Sequence, residues 1–135
     1  MADLTITAAS VVLVSGPKST GTAGESLTAG QCVYLKSSDS KIYKADNNVT
    51  SAEASAVGIA LHASAASQPI TYAIDGAVVN MGATLTVGET YIVSSTAGGV
   101  APVADISTNY VTHLGVALTA ANLSLKLVAW GVQHG

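Results

Sequence analysis

The chain reads GESLTAGQ at residues 24–31 and GATLTVGE at residues 82–89, so one turn-forming segment occurs twice. In each copy a Leu-Thr-x-Gly sequence ends on a glycine, Gly30 or Gly88, where a positive φ costs a residue without a Cβ very little. Apolar runs rich in β-branched and aromatic residues follow both glycines, as expected of a strand that starts after a turn. We interpret the two segments as equivalent turns of an internal repeat.

Further matches follow these turns in the same order along the chain. They pair residues 33–35 with 91–93, 45–46 with 104–105, 57–61 with 114–118, and 73–76 with 128–131. A single apolar match could arise by chance, but an ordered series of matches is not expected from chance. We therefore predict one β domain at residues 24–135, in which residues 24–76 and 82–131 are structural copies, preceded by residues 1–23 as an arm or first strand with a connector.

Period-two alternation and short bounded apolar runs predict strands throughout. Ile70, Tyr72 and Ile74 alternate with Thr71 and Ala73, which places the three larger residues on one sheet face. A capping-box sequence at residues 50–53 predicts one short helix or turn. The predicted fold class is all-β, a small β-barrel or sandwich built from two repeated halves, with at most one or two short helices.

The predicted core is aliphatic because the chain has no Phe and aromatic residues make up only 4% of it. The residues expected to be largely buried are Leu27, Val33, Ile59, Leu61, Ile74, Leu85, Ile92, Val116, Leu118, Leu125 and Leu127.

Charge and hydropathy exclude several classes of partner. The formal net charge is −3 at pH 7 and charged residues are 10% of the chain, so it lacks the clustered cations that neutralise nucleic-acid phosphates. No apolar stretch approaches the roughly 18 residues needed to cross a bilayer, and the N-terminus lacks the basic region of a secretory signal. We expect neither nucleic-acid nor membrane binding. So little charge suits either a surface covered by neighbours or a surface of uncharged polar groups.

The residues that could carry chemistry are few and scattered. His62, His113 and His134 are too far apart in sequence for the short, defined ligand spacings of a zinc site. Cys32 is the single cysteine and stands in an apolar run, where a small buried hydrophobe is the expected role. We predict no catalytic residue, no metal site and no cofactor, and hence a protein that is not an enzyme.

Three segments carry a resemblance to a known family, at residues 23–35, 41–46 and 56–60. They resemble the small capsid decoration (cement) proteins of tailed bacteriophages, and the likeness extends over about residues 22 to 131. The resemblance implies a compact β-barrel-like or tulip-like fold, no catalysis, and many copies bound to the major capsid protein on the outer surface of an expanded head. It also implies a virion protein made in the bacterial cytoplasm, and a homo-oligomer, with a trimer favoured.

Thr/Ser/Gly-rich β proteins with other roles provide the alternative. A phage tail-fibre or tail-tip protein, or a carbohydrate-binding module, would share this composition. A sugar-binding module typically displays aromatic platforms, whereas most of the five tyrosines here fall inside apolar runs.

The first residues of the chain have no counterpart between the two copies. An apolar strand on a flexible connector can add itself to a neighbouring sheet edge, so we predict that this arm contacts the capsid or an adjacent subunit. The alternative is that it forms the domain's own first strand. The predicted contact residues are Leu4, Ile6, Val11, Val12, Leu13 and Val14.

Overall fold

The computed structural model describes residue 4 and residues 6–46, 55–94, 97–102 and 110–133. One 3-10 helix, Ala8–Ser10, precedes the strands. The strands are β1 Val12–Ser15, β2 Lys18–Thr22, β3 Cys32–Lys36, β4 Lys41–Lys44, β5 Gly58–Ala60, β6 Pro69–Ala73, β7 Val78–Asn80, β8 Thr90–Val93, β9 Val100–Pro102, β10 Tyr110–Ala117 and β11 Asn122–Gln133. The all-β prediction is confirmed, and the helix or turn predicted at residues 50–53 lies outside the described residues.

The strands form two antiparallel sheets. The five-stranded sheet has the order β2-β6-β5-β3-β4, and the six-stranded sheet has the order β1-β7-β11-β10-β8-β9. The two sheets pack as a sandwich and do not close into a barrel, so the sandwich is the observed alternative. If β1 is left aside, the two orders match position by position. The corresponding strands are β2 and β7, β6 and β11, β5 and β10, β3 and β8, and β4 and β9. Each half of the chain therefore builds one sheet.

The two quoted glycines make the same turn in both halves. Gly30 has φ +91° and donates its N–H to Ala60 O at 2.8 Å, while Gly88 has φ +82° and donates its N–H to Ala117 O at 2.9 Å. Both φ angles lie in the left-handed region that glycine enters without a Cβ penalty. The turn before β3 is thus hydrogen-bonded to β5, and the equivalent turn before β8 is hydrogen-bonded to β10.

A second pair of glycines marks the closest approach of neighbouring strands. Gly58 lies opposite Val33 on β3, and Gly115 lies opposite Tyr91 on β8. A Cβ on Gly58 would stand 2.0 Å from Ala73 O, and one on Gly115 would stand 2.0 Å from a backbone carbonyl of β11. In the five-stranded sheet β5 is therefore pressed against the backbone of β6, and in the six-stranded sheet β10 is pressed against the backbone of β11.

The last strand pair corrects one part of the sequence alignment. Ala73 pairs with Ile59 on β5, whereas Val116, the counterpart of Ile59, pairs with Ser124. The structural counterpart of Ala73 is therefore Ser124 and not Val128. The connection is shorter in the second half, since the paired residues Ile59 and Ala73 are 14 positions apart and Val116 and Ser124 are 8 positions apart. An alignment based on composition does not detect this difference.

The sheets also include strands that precede the predicted repeats. β2 at residues 18–22 pairs with β6, and β1 pairs with β7. The chain passes from one sheet to the other at Gly16, where a Cβ would stand 2.6 Å from Ala77 Cα. The sheets thus begin before residues 24 and 82, and they include two strands from the first 23 residues of the chain.

Two clusters of buried side chains fill the molecule. The larger cluster joins one face of the five-stranded sheet to the six-stranded sheet and includes Cys32, Ile59, Ala73, Val79, Tyr91, Leu114, Leu123 and Leu125. The smaller cluster uses the alternate residues of the five-stranded sheet: Ala23, Leu27, Val33, Ile42, Ala60, Ile70 and Tyr72. A single parallel bridge between Ala23 and Ile42 brings the two edges of this sheet together.

Most of the predicted core is observed. Leu27, Val33, Ile59, Leu85, Ile92 and Leu125 are buried, and Leu61, Ile74 and Leu127 are half-buried. The predictions for Val116 and Leu118 are wrong, because 39% and 54% of their surfaces are exposed. Leu114 and Ala117 occupy the inward positions of this strand end, and an unbroken apolar run conceals which residues point inward.

Candidate functional site

The site is built on the side of the six-stranded sheet that faces away from the five-stranded sheet. Leu13, Val79 and Leu123 point into the core between the sheets, and residues that alternate with them along β1, β7 and β11 must point outward. Directly opposed residues on neighbouring strands share a face. The sheet register therefore identifies the residues on this side.

Two rows of outward residues cross the sheet. One row contains Thr90, Val116, Ser124 and Val78, and the other contains Leu118, Asn122, Asn80 and Val12. Val14 projects beside them, since it alternates with the inward Leu13. We call these nine residues the outer face.

Apolar side chains on the outer face are exposed to an unusual degree. Val12, Val14 and Leu118 have exposed fractions of 56%, 52% and 54%. The other six residues are neutral: two are valines, and the other four carry hydroxyl or amide groups. No residue of the outer face is charged; Lys126 follows along β11. Such a surface can bind by apolar burial and neutral hydrogen bonds.

Part of the corresponding face of the five-stranded sheet is covered within the chain. Ile59 and Ala73 are the counterparts of Val116 and Ser124, and both are 0% exposed in the core between the sheets. The rest of that face is not covered, since Lys18 and Thr20, the counterparts of Val78 and Asn80, are exposed. The difference between the repeats is therefore that Val116 is 39% exposed where Ile59 is buried. An uncovered apolar sheet face of this kind is a common mark of a protein interaction surface.

Charged groups gather instead on the β3–β4 hairpin of the other sheet. Asp39 accepts hydrogen bonds from the Tyr43 hydroxyl at 2.6 Å and from the Lys41 N–H at 3.0 Å. Lys36 Nζ lies 5.0 Å from the centroid of the Tyr43 ring. The Tyr43 hydrogen bond, with help from Lys41 and Lys36, lowers the pKa of Asp39, and the hydrogen bond to Asp39 raises the pKa of Tyr43.

These shifts predict how hairpin stability depends on pH. The lowered pKa of Asp39 favours the folded hairpin above the carboxyl's ordinary range, and this contribution disappears as pH falls through the lowered value. The raised pKa of Tyr43 favours the folded hairpin below the phenol's ordinary range, and this contribution disappears as pH rises through the raised value.

In Asp39→Asn we expect the pKa of Tyr43 to return toward its ordinary value, as measured by NMR titration of its ring. Asp75→Asn, outside the hairpin, is the control; an equal effect there would contradict the assignment.

The predicted N-terminal contact residues lie on the domain itself. Val11 is buried, Leu4, Ile6 and Leu13 pack against the larger core cluster, and β1 is the edge strand of the six-stranded sheet. In the part of the chain that the structure describes, the segment thus lies within the fold, as in the first-strand alternative. Only Val12 and Val14 are exposed, and they belong to the outer face.

The residues considered for chemistry are not brought together. Cys32 is fully buried, as predicted, and its thiol donates to Gly99 O at 3.1 Å. His62 Nε2 accepts the Thr71 N–H at 3.0 Å, next to the five-stranded sheet, whereas His113 is on β10 of the six-stranded sheet. His134 lies outside the described residues.

Within the described ranges, no three His, Cys, Asp or Glu side chains are grouped so that they could hold a metal ion. The same residues contain no helix with the length and apolar character needed to cross a membrane. No protein-family model matches the sequence, and no curated protein matches it significantly. The outer face is therefore the candidate site, and sequence reasoning found only its β1 residues.

Proposed function

We propose that this protein is a virion structural protein that decorates and stabilises the outer surface of an expanded phage capsid, without catalysis. The observation that carries the proposal is the uncovered outer face, on which Val12, Val14 and Leu118 are more than half exposed. The resemblance of the turn segments to phage decoration proteins supports the same role. The proposed partner is the major capsid protein, and the proposed location is the capsid surface.

The distribution of charge supports a fixed orientation on the capsid. The charged residues of the hairpin, Lys36, Asp39 and Lys41, are on the five-stranded sheet, and the neutral outer face is on the six-stranded sheet. Desolvating charges is costly, whereas desolvating apolar groups is favourable. The outer face is therefore the side proposed to meet the capsid, with the hairpin in solvent.

The described tyrosines do not favour the sugar-binding alternative. Tyr34, Tyr72 and Tyr91 are at most 9% exposed. Tyr43 is half-buried, and its ring lies against Gly24, where a Cβ would stand 2.2 Å from the ring. A platform for a sugar needs an open aromatic face, so capsid decoration remains our proposal.

A matched pair of lysine substitutions tests the proposed surface. Leu118 on the outer face and Leu35 on β3 have exposed fractions of 54% and 51%, so either can accept a lysine without burying its charge. We expect Leu118→Lys to weaken binding to undecorated expanded heads by about tenfold or more, because a charge would be desolvated at the interface. Co-sedimentation with the heads measures this effect.

Leu35→Lys is the control and should bind like the unchanged protein. Equal binding by both variants would show that the outer face is not the contact surface. Failure of the unchanged protein to bind any expanded head would overturn the proposed function itself.

A further inference from the structure

The two sheets differ at one equivalent place, the gap between β2 and β4 in one sheet and between β7 and β9 in the other. In the five-stranded sheet this gap is closed directly, since Gly24 N–H donates to Ile42 O at 2.8 Å beside the Ala23–Ile42 bridge. The repeat assigns Gly82 and Val100 as the counterparts of Gly24 and Ile42. The six-stranded sheet therefore has an equivalent gap between Gly82 and Val100, which we call the seam.

The N-terminal segment, residues 4 and 6–11, is inserted into the seam. Thr7 N–H donates to Gly82 O at 2.7 Å, and Leu4 N–H donates to Val100 O at 2.8 Å. The Gly82 N–H, whose counterpart closes the other sheet, donates instead to Asn80 Oδ1 at 3.0 Å. The second half is thus completed by a segment from outside the repeat.

Glycines on both sides make room for this segment. A Cβ on Gly82 would stand 2.4 Å from Thr7 O, and a Cβ on Gly30 would stand 2.6 Å from Ile6 Cγ2. Val11 Cγ2 lies close to both glycines, at 3.3 and 3.1 Å from the same two Cβ positions. The seam is therefore shaped for an apolar segment that passes close to the backbone, extended at Thr7 and followed by the 3-10 helix Ala8–Ser10.

We propose that the seam is a strand-binding groove that also takes the N-terminal segment of a second copy of this chain. The segment is held by the seam and by a pocket that Leu4, Ile6 and Ala8 share with residues 28–31 and 97–99. A second copy has the same seam and the same pocket, so its seam can take this segment, as in domain swapping. This exchange does not rest on the capsid role, because it needs only the isolated protein.

Two full-length variants separate donor from acceptor. Gly82→Ala, the donor, puts a Cβ against Thr7 O and should expel its own N-terminal segment. The acceptor carries Leu4→Asp and Ile6→Asp, which disfavour burial of its own segment and leave its seam open. We expect the mixture to form a 1:1 heterodimer, which sedimentation velocity detects. The amount of heterodimer should be about tenfold or more above the amount formed with a control donor.

The control donor is Gly88→Ala. Gly88 has φ +82°, close to the +64° of Gly82, but a Cβ there meets nothing within 4 Å, so this variant keeps the backbone strain and lacks the clash. If Gly82→Ala does not fold by circular dichroism, Gly30→Ala, which crowds Ile6, is used as the donor. Equal heterodimer with the control donor, or no heterodimer with the folded donor, overturns the proposal.

Discussion

Replacing Gly58 or Gly115 by alanine is expected to destabilise the protein severely and to nearly the same extent. In each case the added methyl group would stand 2.0 Å from a backbone carbonyl oxygen of the neighbouring strand. Neither strand can move without breaking the ladder, so we expect each substitution to lower the free energy of unfolding by about 3 kcal/mol. That is a large part of the roughly 5–15 kcal/mol that holds a domain folded. Thermal and urea denaturation measure the loss.

Gly88→Ala provides the control for this pair. A Cβ on Gly88 meets nothing within 4 Å, and only its φ of +82° is unfavourable for alanine. We expect a loss of about 1–2 kcal/mol there. If Gly58→Ala or Gly115→Ala caused only this smaller loss, β5 and β6, or β10 and β11, would not be pressed together. A large difference between Gly58→Ala and Gly115→Ala would show that the two halves do not share this contact.

Leu123→Ala is expected to damage the core severely. Leu123 is 0% exposed on β11 in the core between the sheets. Removing its side chain loses transfer free energy and leaves a cavity, which costs about 3–4 kcal/mol of unfolding free energy. The midpoint of urea denaturation measures this loss, and an unchanged slope would show that the unfolding transition remains comparable.

Leu118→Ala is the matched control, since it removes the same atoms from a residue that is 54% exposed. We expect its unfolding free energy to change by less than about 0.5 kcal/mol. Comparable losses in Leu118→Ala and Leu123→Ala would contradict the assignment of the outer face. The same variant bears on function, because Leu118 belongs to the proposed capsid contact.

The turns were predictable from sequence because local backbone chemistry determines them. Gly30 and Gly88 occur in the same short motif, and both adopt a positive φ. Gly30 donates a hydrogen bond to β5, and Gly88 donates one to β10. The register of the last strand was not predictable in this way. Val128 was aligned with Ala73, yet the ladder matches Ser124 to it, because the connection between the two strands is shorter in the second half and its length leaves no clear mark in the composition.

The outer face was missed for a different physical reason. A run of apolar residues around Val116 and Leu118 predicts burial on both faces of a strand, and Ile59 in the other half is indeed buried. Whether such a face is covered depends on which sheet packs against it, a non-local property. The N-terminal segment illustrates the same limit, since its place between Gly82 and Val100 depends on residues far away in the chain.

Cryo-electron microscopy of undecorated expanded heads mixed with the purified protein tests the proposed function most directly. We predict regular added density on the capsid surface, fitted by the sandwich with the outer face toward the major capsid protein and the β3–β4 hairpin in solvent. Heads that remain bare at saturating protein, or bound protein whose outer face points away from the capsid, would contradict the account.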